Sequence, residues 1–151
     1  MHRMYENDDI VVFWDSEKCF HSRRCVTGSP LTFDPTRKPW IDLSKDKNSN
    51  IWQAIESCPS GALGCAYRHD IDVKMDAEGS RSVAYDGDKE IGECVYSTDG
   101  NGICIYHTGV DPAYEGKGIA KRLVYRILEH AERNKLEVSA TCSYAKKVIY
   151  R

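Results

Sequence analysis

His107-Thr108-Gly109-Val110-Asp111-Pro112-Ala113-Tyr114-Glu115-Gly116-Lys117-Gly118-Ile119-Ala120 passes from a strand through a glycine turn into a helix, and its reading decides the fold of the second half of the chain. Val110 ends the strand, Asp111-Pro112 turns the chain, and the residues from Glu115 open a helix. Glycines remove side chains that would block close approach, and the N–H groups and positive dipole end of a helix start stabilise an anion. The backbone N–H groups of Gly116, Lys117, Gly118, Ile119, Ala120 and Lys121 are therefore the expected donors to a phosphate. Because a G-x-G turn is often only a tight turn, its surroundings carry the decision.

Downstream, Lys117 to Asn134 places Ile119, Ala120, Leu123, Val124, Ile127, Leu128 and Ala131 on one helical face, with Lys121, Arg122, Arg126, Glu129 and Arg133 largely outside it. Leu136 to Thr141 alternates as a strand, and Ser143 to Arg151 begins a final helix. Upstream, Ile71 to Met75, Ser82 to Tyr85, Ile91 to Tyr96 and Ile103 to Val110 read as strands. The breaks Ala77-Glu78-Gly79, Asp86-Gly87-Asp88 and Thr98 to Gly102 carry hairpin chemistry, so an antiparallel meander is expected. Cys94 and Cys104 alternate with apolar residues there and read as core.

The first half is organised around cysteines. Ile10 to Trp14 is a short apolar run suited to a buried strand, and it feeds a loop carrying Cys19 and Cys25. Thr27 to Trp40 reads as turns and extended chain, and Asp42 to Asn50 as a polar stretch. Asn50 reads as the N-cap of a short helix through Ser57, stopped by Cys58-Pro59-Ser60-Gly61. Seven cysteines cannot all pair, and no secretion leader precedes them, so metal, cluster or catalytic roles are favoured over a disulfide framework. Cys19, Ser22, Cys25 and Cys58-Pro59 follow a C-x2-C-x2-C…C-P cluster template with serine in the middle place. Three thiolates on a wrapping loop can cap three irons, which implies either a 3Fe-4S cluster or a 4Fe-4S cluster whose fourth ligand comes from His21, Ser22 or Cys65. A zinc site of Cys19, Cys25, Cys58 and His21 is the alternative, although Cys19 and His21 stand too close in sequence for an easy tetrahedron.

These motifs carry two resemblances. Cys19-Phe20-His21-Ser22-Arg23-Arg24-Cys25-Val26-Thr27-Gly28, Phe33-Asp34, Arg37-Lys38-Pro39-Trp40-Ile41 and Cys58-Pro59-Ser60-Gly61-Ala62-Leu63 resemble the divergent single-cluster ferredoxin-like domains. That resemblance implies a small α+β iron-sulfur domain for electron transfer or redox sensing, with a redox partner protein. His107-Thr108-Gly109-Val110, Gly116-Lys117-Gly118 and Cys142-Ser143-Tyr144-Ala145 are similar to a minimal GNAT-like group of acetyltransferases. It implies acetyl-CoA or CoA bound by Val110, Gly116, Lys117, Gly118, Ile119, Ala120 and Lys121, and an acceptor amine of unknown identity. It also places Cys142 near the reactive end of CoA, where a thiolate lowered by a base could act as nucleophile, with His107 the residue suited to be that base. Two departures stand out: Glu115 occupies a place where the signature prefers Arg or Gln, and Gly109 one where the group often has a glutamate that could serve as base.

The expected fold class is α+β: a ferredoxin-like iron-sulfur domain in 1–69, then a minimal GNAT-like α/β domain in 70–151 with an antiparallel meander and a glycine-turn helix. Charge sorts the functional classes. With 21 Lys and Arg against 23 Asp and Glu overall, neither half carries the basic excess that nucleic-acid binding needs. No apolar run suits a bilayer, so a cytoplasmic protein without a membrane partner is expected. The leading expectation is an iron-sulfur protein fused to an acetyl-CoA-dependent N-acetyltransferase, with redox state linked to acyl transfer. The alternatives are a non-catalytic electron carrier or acyl-CoA sensor, and a structural zinc module with a CoA-binding domain.

Overall fold

A computed structural model of the chain describes residues 2–19 and 22–150, the side chain of Tyr150 excepted. The chain divides into two compact units, Met1–Arg68 and His69–Arg151. A sheet with helices in each unit makes the class α+β. No helix among the described residues is long and apolar enough to cross a membrane.

The first unit is built on an antiparallel sheet, β1 (His2–Glu6), β2 (Ile10–Asp15) and β3 (Leu63–Tyr67), in the order β1-β2-β3. The central strand β2 is buried throughout. The polar opening segment gives no strand signal in sequence because only Met4 of β1 is buried; pairing with β2 holds it in place. Asn7 makes the hairpin between them, its Oδ1 accepting from the N–H groups of Asp9 and Ile10. Two helices follow β2, α1 (Arg24–Gly28) and α2 (Asn48–Glu56). Cys25 thus lies on a helical turn rather than on the loop expected from sequence. The expected N-cap also moves: α2 starts two residues before Asn50, whose side-chain amide instead donates to Asp46. Ile10, Val12, Phe33, Ile41, Ile51, Ile55 and Leu63 form the core, with Cys19, Cys25 and Cys58 packed on its edge.

Two local devices hold the cysteine-bearing segments. A Cβ on Gly28 would lie 3.0 Å from the Ala54 Cβ and 3.1 Å from its Cα, so α1 can approach α2 this closely only with glycine there. Gly28→Ala is expected to cost about 1–3 kcal/mol through overpacking and to displace α1, read as a lowered urea midpoint and faster alkylation of Cys25. Arg37 clamps the loop that follows α1. Its Nη2 donates to the carbonyls of Thr32 (2.7 Å) and Trp40 (3.2 Å), its Nη1 to Leu31 (3.0 Å) and its Nε to Pro39 (3.2 Å).

The second unit is one five-stranded sheet, β4 (Ile71–Asp76), β5 (Arg81–Asp86), β6 (Lys89–Asp99), β7 (Gly102–Val110) and β8 (Glu137–Ala140), in chain order. Its first four strands form the expected antiparallel meander, and β8 joins β7 in parallel after the helix α3 (Ile119–Arg133). A parallel neighbour needs such a crossover, and the amphipathic α3 supplies it. Ile119, Leu123, Val124, Ile127, Leu128 and Ala131 pack on Ile71, Ala84, Cys94, Ile103 and Ile105. The Ser82 hydroxyl pins the helix to the sheet by donating to the Leu123 carbonyl at 2.7 Å. Arg122 departs from the solvent-facing reading: it is fully buried, and its Nη2 donates to the Ile71 carbonyl at 2.7 Å. Cys94 is core as expected, whereas Cys104 sits between buried Ile103 and Ile105 and so faces the other side of the sheet, half-buried. The last helix, α4 (Ser143–Tyr150), starts just after β8.

Candidate functional site

In the second unit the site grows from an irregularity in β7. Val95 pairs with His107 but Tyr96 pairs with Ile105, so Tyr106 is an extra residue in the strand. At the same place β8 stops: Ile105 pairs with Ala140, and the N–H groups of Thr141 and Cys142 then both reach the Ile105 carbonyl, at 2.9 and 3.3 Å. Beyond it β7 continues to Val110 with no strand partner on that edge among the described residues. A notch therefore opens between the tail of β7 and the start of α4.

Cys142 stands in this notch as the N-cap of α4, its carbonyl accepting from the Lys146 N–H at 3.0 Å. Its Sγ lies 3.6 Å from Thr108 Oγ1, whose hydroxyl in turn donates to Cys94 Sγ at 3.4 Å. Partial burial raises the Cys142 thiol, but hydrogen bonding outweighs it: the N–H group of Ala145, the bond that the sulfur makes with the Thr108 hydroxyl, and the N–H groups of Tyr144 and Thr108 hold it below the ordinary thiol value. Cys94 is moved the other way, burial pushing it up to about 11. Of this pair only Cys142 is held toward its thiolate.

His107 is not brought to Cys142. Side chains alternate along a strand, and with Thr108 turned to Cys142 the imidazole falls on the opposite face, beside Gly109. A Cβ on Gly109 would lie 3.1 Å from His107 Nε2, so the ring fills the place where a side chain at 109 would stand. Thr108 is the partner that sequence reading left without a role, although counting one residue along the strand from His107 would have found it.

At the far end of β7 the glycine turn is held on both sides. The Asp111 N–H donates to the Ile91 carbonyl at 2.7 Å, and the Asp111 carboxylate caps a 3-10 turn over Pro112–Tyr114. Tyr114 donates its hydroxyl to the Asp86 carboxylate. Gly116 and Gly118 then take φ of 79° and 74°, left-handed backbone that favours glycine. The first α-helical bond runs from the Arg122 N–H to the Gly118 carbonyl at 3.3 Å, so the N–H groups of Ile119 and Ala120 come before the ladder begins. Val110 lies at the open edge between notch and turn.

In the first unit Cys19 and Cys25 line one cavity of about 420 Å³, walled by Tyr5, Trp14, Pro39 and Trp40. Trp14 and Trp40 meet edge to face at 4.9 Å. Burial raises the Cys25 thiol, and the nearby Cys58 and Cys19 push it further up. Cys58 lies low: burial would raise it, but the Ser60 hydroxyl at 3.3 Å and the N–H groups of Leu63, Ser60 and Ala62 more than offset that. Cys25 thus has both other cysteines as charged neighbours, whereas the charged neighbour felt by Cys65 on β3 is Glu56, and burial pushes Cys65 up to about 12. His21, expected as a ligand, lies outside the described residues. Among the described residues no three His, Cys, Asp or Glu side chains stand close enough to share a single metal ion. A cluster makes no such demand, since each thiolate takes a different iron.

Residues 5–68 match the family described as a divergent 4Fe-4S mono-cluster, and residues 81–151 match the family of GCN5-related N-acetyl-transferases. Uncharacterized protein YjdI of Escherichia coli K12 is 38% identical over 68 residues, which span 45% of this chain and 87% of that protein. A GCN5-like protein from Staphylococcus aureus, known from its solution structure, is 32% identical, the match covering 52% of this chain and 78% of that one with a TM-score of 0.42. A ribosomal-protein-alanine N-acetyltransferase from Brucella melitensis biovar Abortus 2308 is 15% identical, with 94% of this chain and 87% of that one covered and a TM-score of 0.40.

Proposed function

The chain belongs to the divergent 4Fe-4S mono-cluster family in its first half and to the GCN5-related N-acetyltransferase family in its second, and from that premise we propose that its second unit transfers acetyl groups from acetyl-CoA to an amine through Cys142 and that its first unit holds an iron-sulfur cluster. The observation that carries the acyl-transfer reading is the hydrogen bonding gathered at the Cys142 sulfur in the notch between β7 and α4, from the N–H groups of Ala145, Tyr144 and Thr108 and with the Thr108 hydroxyl. In this reading the pyrophosphate of CoA lies on the N–H groups of Gly116 to Lys121, and its pantetheine arm follows the open edge of β7 past Val110 to the notch. The Cys142 thiolate attacks the thioester carbonyl, a new C–S bond forms, and the C–S bond to CoA breaks with CoA leaving as the thiolate. An amine then takes the acetyl group from Cys142. The Cys142 sulfur leaves as the thiolate and the proton shed by the amine goes to water, since His107 lies on the opposite face of β7, away from the thioester.

Cys19, Cys25 and Cys58 are the residues that would hold the cluster, with His21 the further ligand proposed from the sequence. Two thiols, Cys19 and Cys25, line one aromatic cavity, Cys25 feels Cys58 as a neighbouring charge, and N–H donors are already aimed at Cys58; this supports a cluster over a single zinc ion. Bound there, the cluster supplies one-electron redox chemistry, and its state is proposed to bias acyl transfer in the second unit. We place the protein in the cytoplasm, where reducing conditions preserve free thiols.

Calorimetric titration with CoA, followed by release of free CoA thiol from acetyl-CoA in the presence of a primary amine, tests this reading. No CoA binding would overturn the acyltransferase half. Binding without amine-dependent release would leave an acyl-CoA sensor. Gly116→Ala is expected to weaken CoA about tenfold, because alanine at positive φ costs roughly 1–2 kcal/mol and the turn must open to relieve it; an unchanged Kd would move the phosphate elsewhere.

A further inference from the structure

The proposed chemistry leaves one amine of this chain beside the reactive sulfur. Cys142 is the N-cap of α4, and the Lys146 N–H closes the first helical bond onto the Cys142 carbonyl at 3.0 Å. Lys146 therefore stands one helical turn above the N-cap, and helical side chains lean toward the helix N-terminus. The Lys146 side chain is exposed and so can fold back along this turn to the sulfur. Lys147 is also exposed, but one further residue turns it about 100° away from that line.

Resting on the acyl-Cys142 reading above, we infer that Lys146 is an acceptor built into the chain, and that the protein acetylates itself by passing the acetyl group from Cys142 sulfur to Lys146 nitrogen. The deprotonated Lys146 amine attacks the thioester carbonyl, the C–N bond forms and the C–S bond breaks. Sulfur returns as the thiolate, and the proton shed by nitrogen goes to water. The product is an amide, stable where the thioester is not, and it removes one positive charge from the mouth of the notch. Transfer across a single helical turn needs no docked partner, so it sets the lower limit on what an external amine must compete with.

The full-length protein incubated with acetyl-CoA, sampled over time and split into hydroxylamine-treated and untreated portions, separates the two steps by intact mass and peptide mapping. Hydroxylamine strips thioesters and leaves amides. The expected course is a labile acetyl group on Cys142 that gives way to a stable one on Lys146. Lys146→Arg should keep the labile group and lose the stable one, Lys147→Arg should change neither, and Cys142→Ala should lose both. A labile group on Cys142 with no amide, or with the amide on another residue, would overturn the self-transfer while leaving the acyl-Cys142 reading intact. An amide on Lys146 that persists in Cys142→Ala would show direct attack on acetyl-CoA and also overturn it. Absence of any acetyl group on Cys142 would take down the underlying reading first.

Discussion

Replacing Cys142 with alanine is expected to abolish the hydroxylamine-labile acetyl adduct and to cut amine-dependent CoA release by at least about a hundredfold, the low end of what a positioned catalytic group contributes, while CoA still binds. The expectation follows from the division of labour along β7. The glycine turn that would hold the pyrophosphate starts at Gly116, past the end of the strand, whereas Cys142 closes the notch at its middle. Removing the sulfur therefore removes chemistry without touching the phosphate donors. Equal rates in the variant and the parent would mean that the amine attacks the thioester directly, with Cys142 only lining the channel.

The same thiol has a pH signature with a definite sign. Donors that favour the thiolate keep it populated at lower pH, so the rate of iodoacetamide alkylation at Cys142 should rise through a midpoint below that of an ordinary thiol. Thr108→Val removes the hydroxyl that hydrogen-bonds the Cys142 sulfur but keeps the backbone N–H. Loss of a hydrogen bond that favours the thiolate raises the midpoint above that of the parent protein. His107→Ala should leave the midpoint where it is, because the imidazole lies across the strand. A shift on removing His107, with none on removing Thr108, would reverse the assignment.

Why the sequence pairs His107 with Cys142, and the fold does not, comes down to a period of two. Motif spacing brings both residues to the end of one strand and the start of the next helix, but the face each occupies depends on register, and the extra residue Tyr106 resets it. The meander, α3 and the glycine turn are legible in sequence because each rests on local chemistry: turn residues between alternating strands, a stripe at helical spacing, and glycines at positive φ. What hides from sequence rests on tertiary context. The β1 strand is polar yet paired, Arg122 is charged yet buried, and the short α1 is held by the close approach of Gly28 to Ala54. The cysteine triad is legible for a different reason, since a ligand set must be encoded by residue type. Its separation from Cys65 is not legible, because Cys65 lies only seven residues after Cys58 and a turn and half a strand carry it away.

That separation sets the second large effect. Cys25→Ala and Cys58→Ala are each expected to lower iron and sulfide content after anaerobic reconstitution by at least about tenfold, since even partners outside the ligand set commonly cost 10–100-fold in metal affinity. Cys65→Ala should keep the content and the thiolate-to-iron absorption of the parent. The physical ground is that Cys25 feels Cys58 and Cys19 as neighbouring charges and Cys58 receives the N–H groups of Leu63, Ser60 and Ala62, while Cys65 receives that of Ala66 and has Glu56 as its charged neighbour. A Cys65 variant that loses its iron with the others would make this residue the missing ligand and require β3 to shift on assembly. Parent protein that takes up zinc stoichiometrically but never iron and sulfide would instead reduce the first unit to a structural metal module, and the proposed link between redox state and acyl transfer would fall with it.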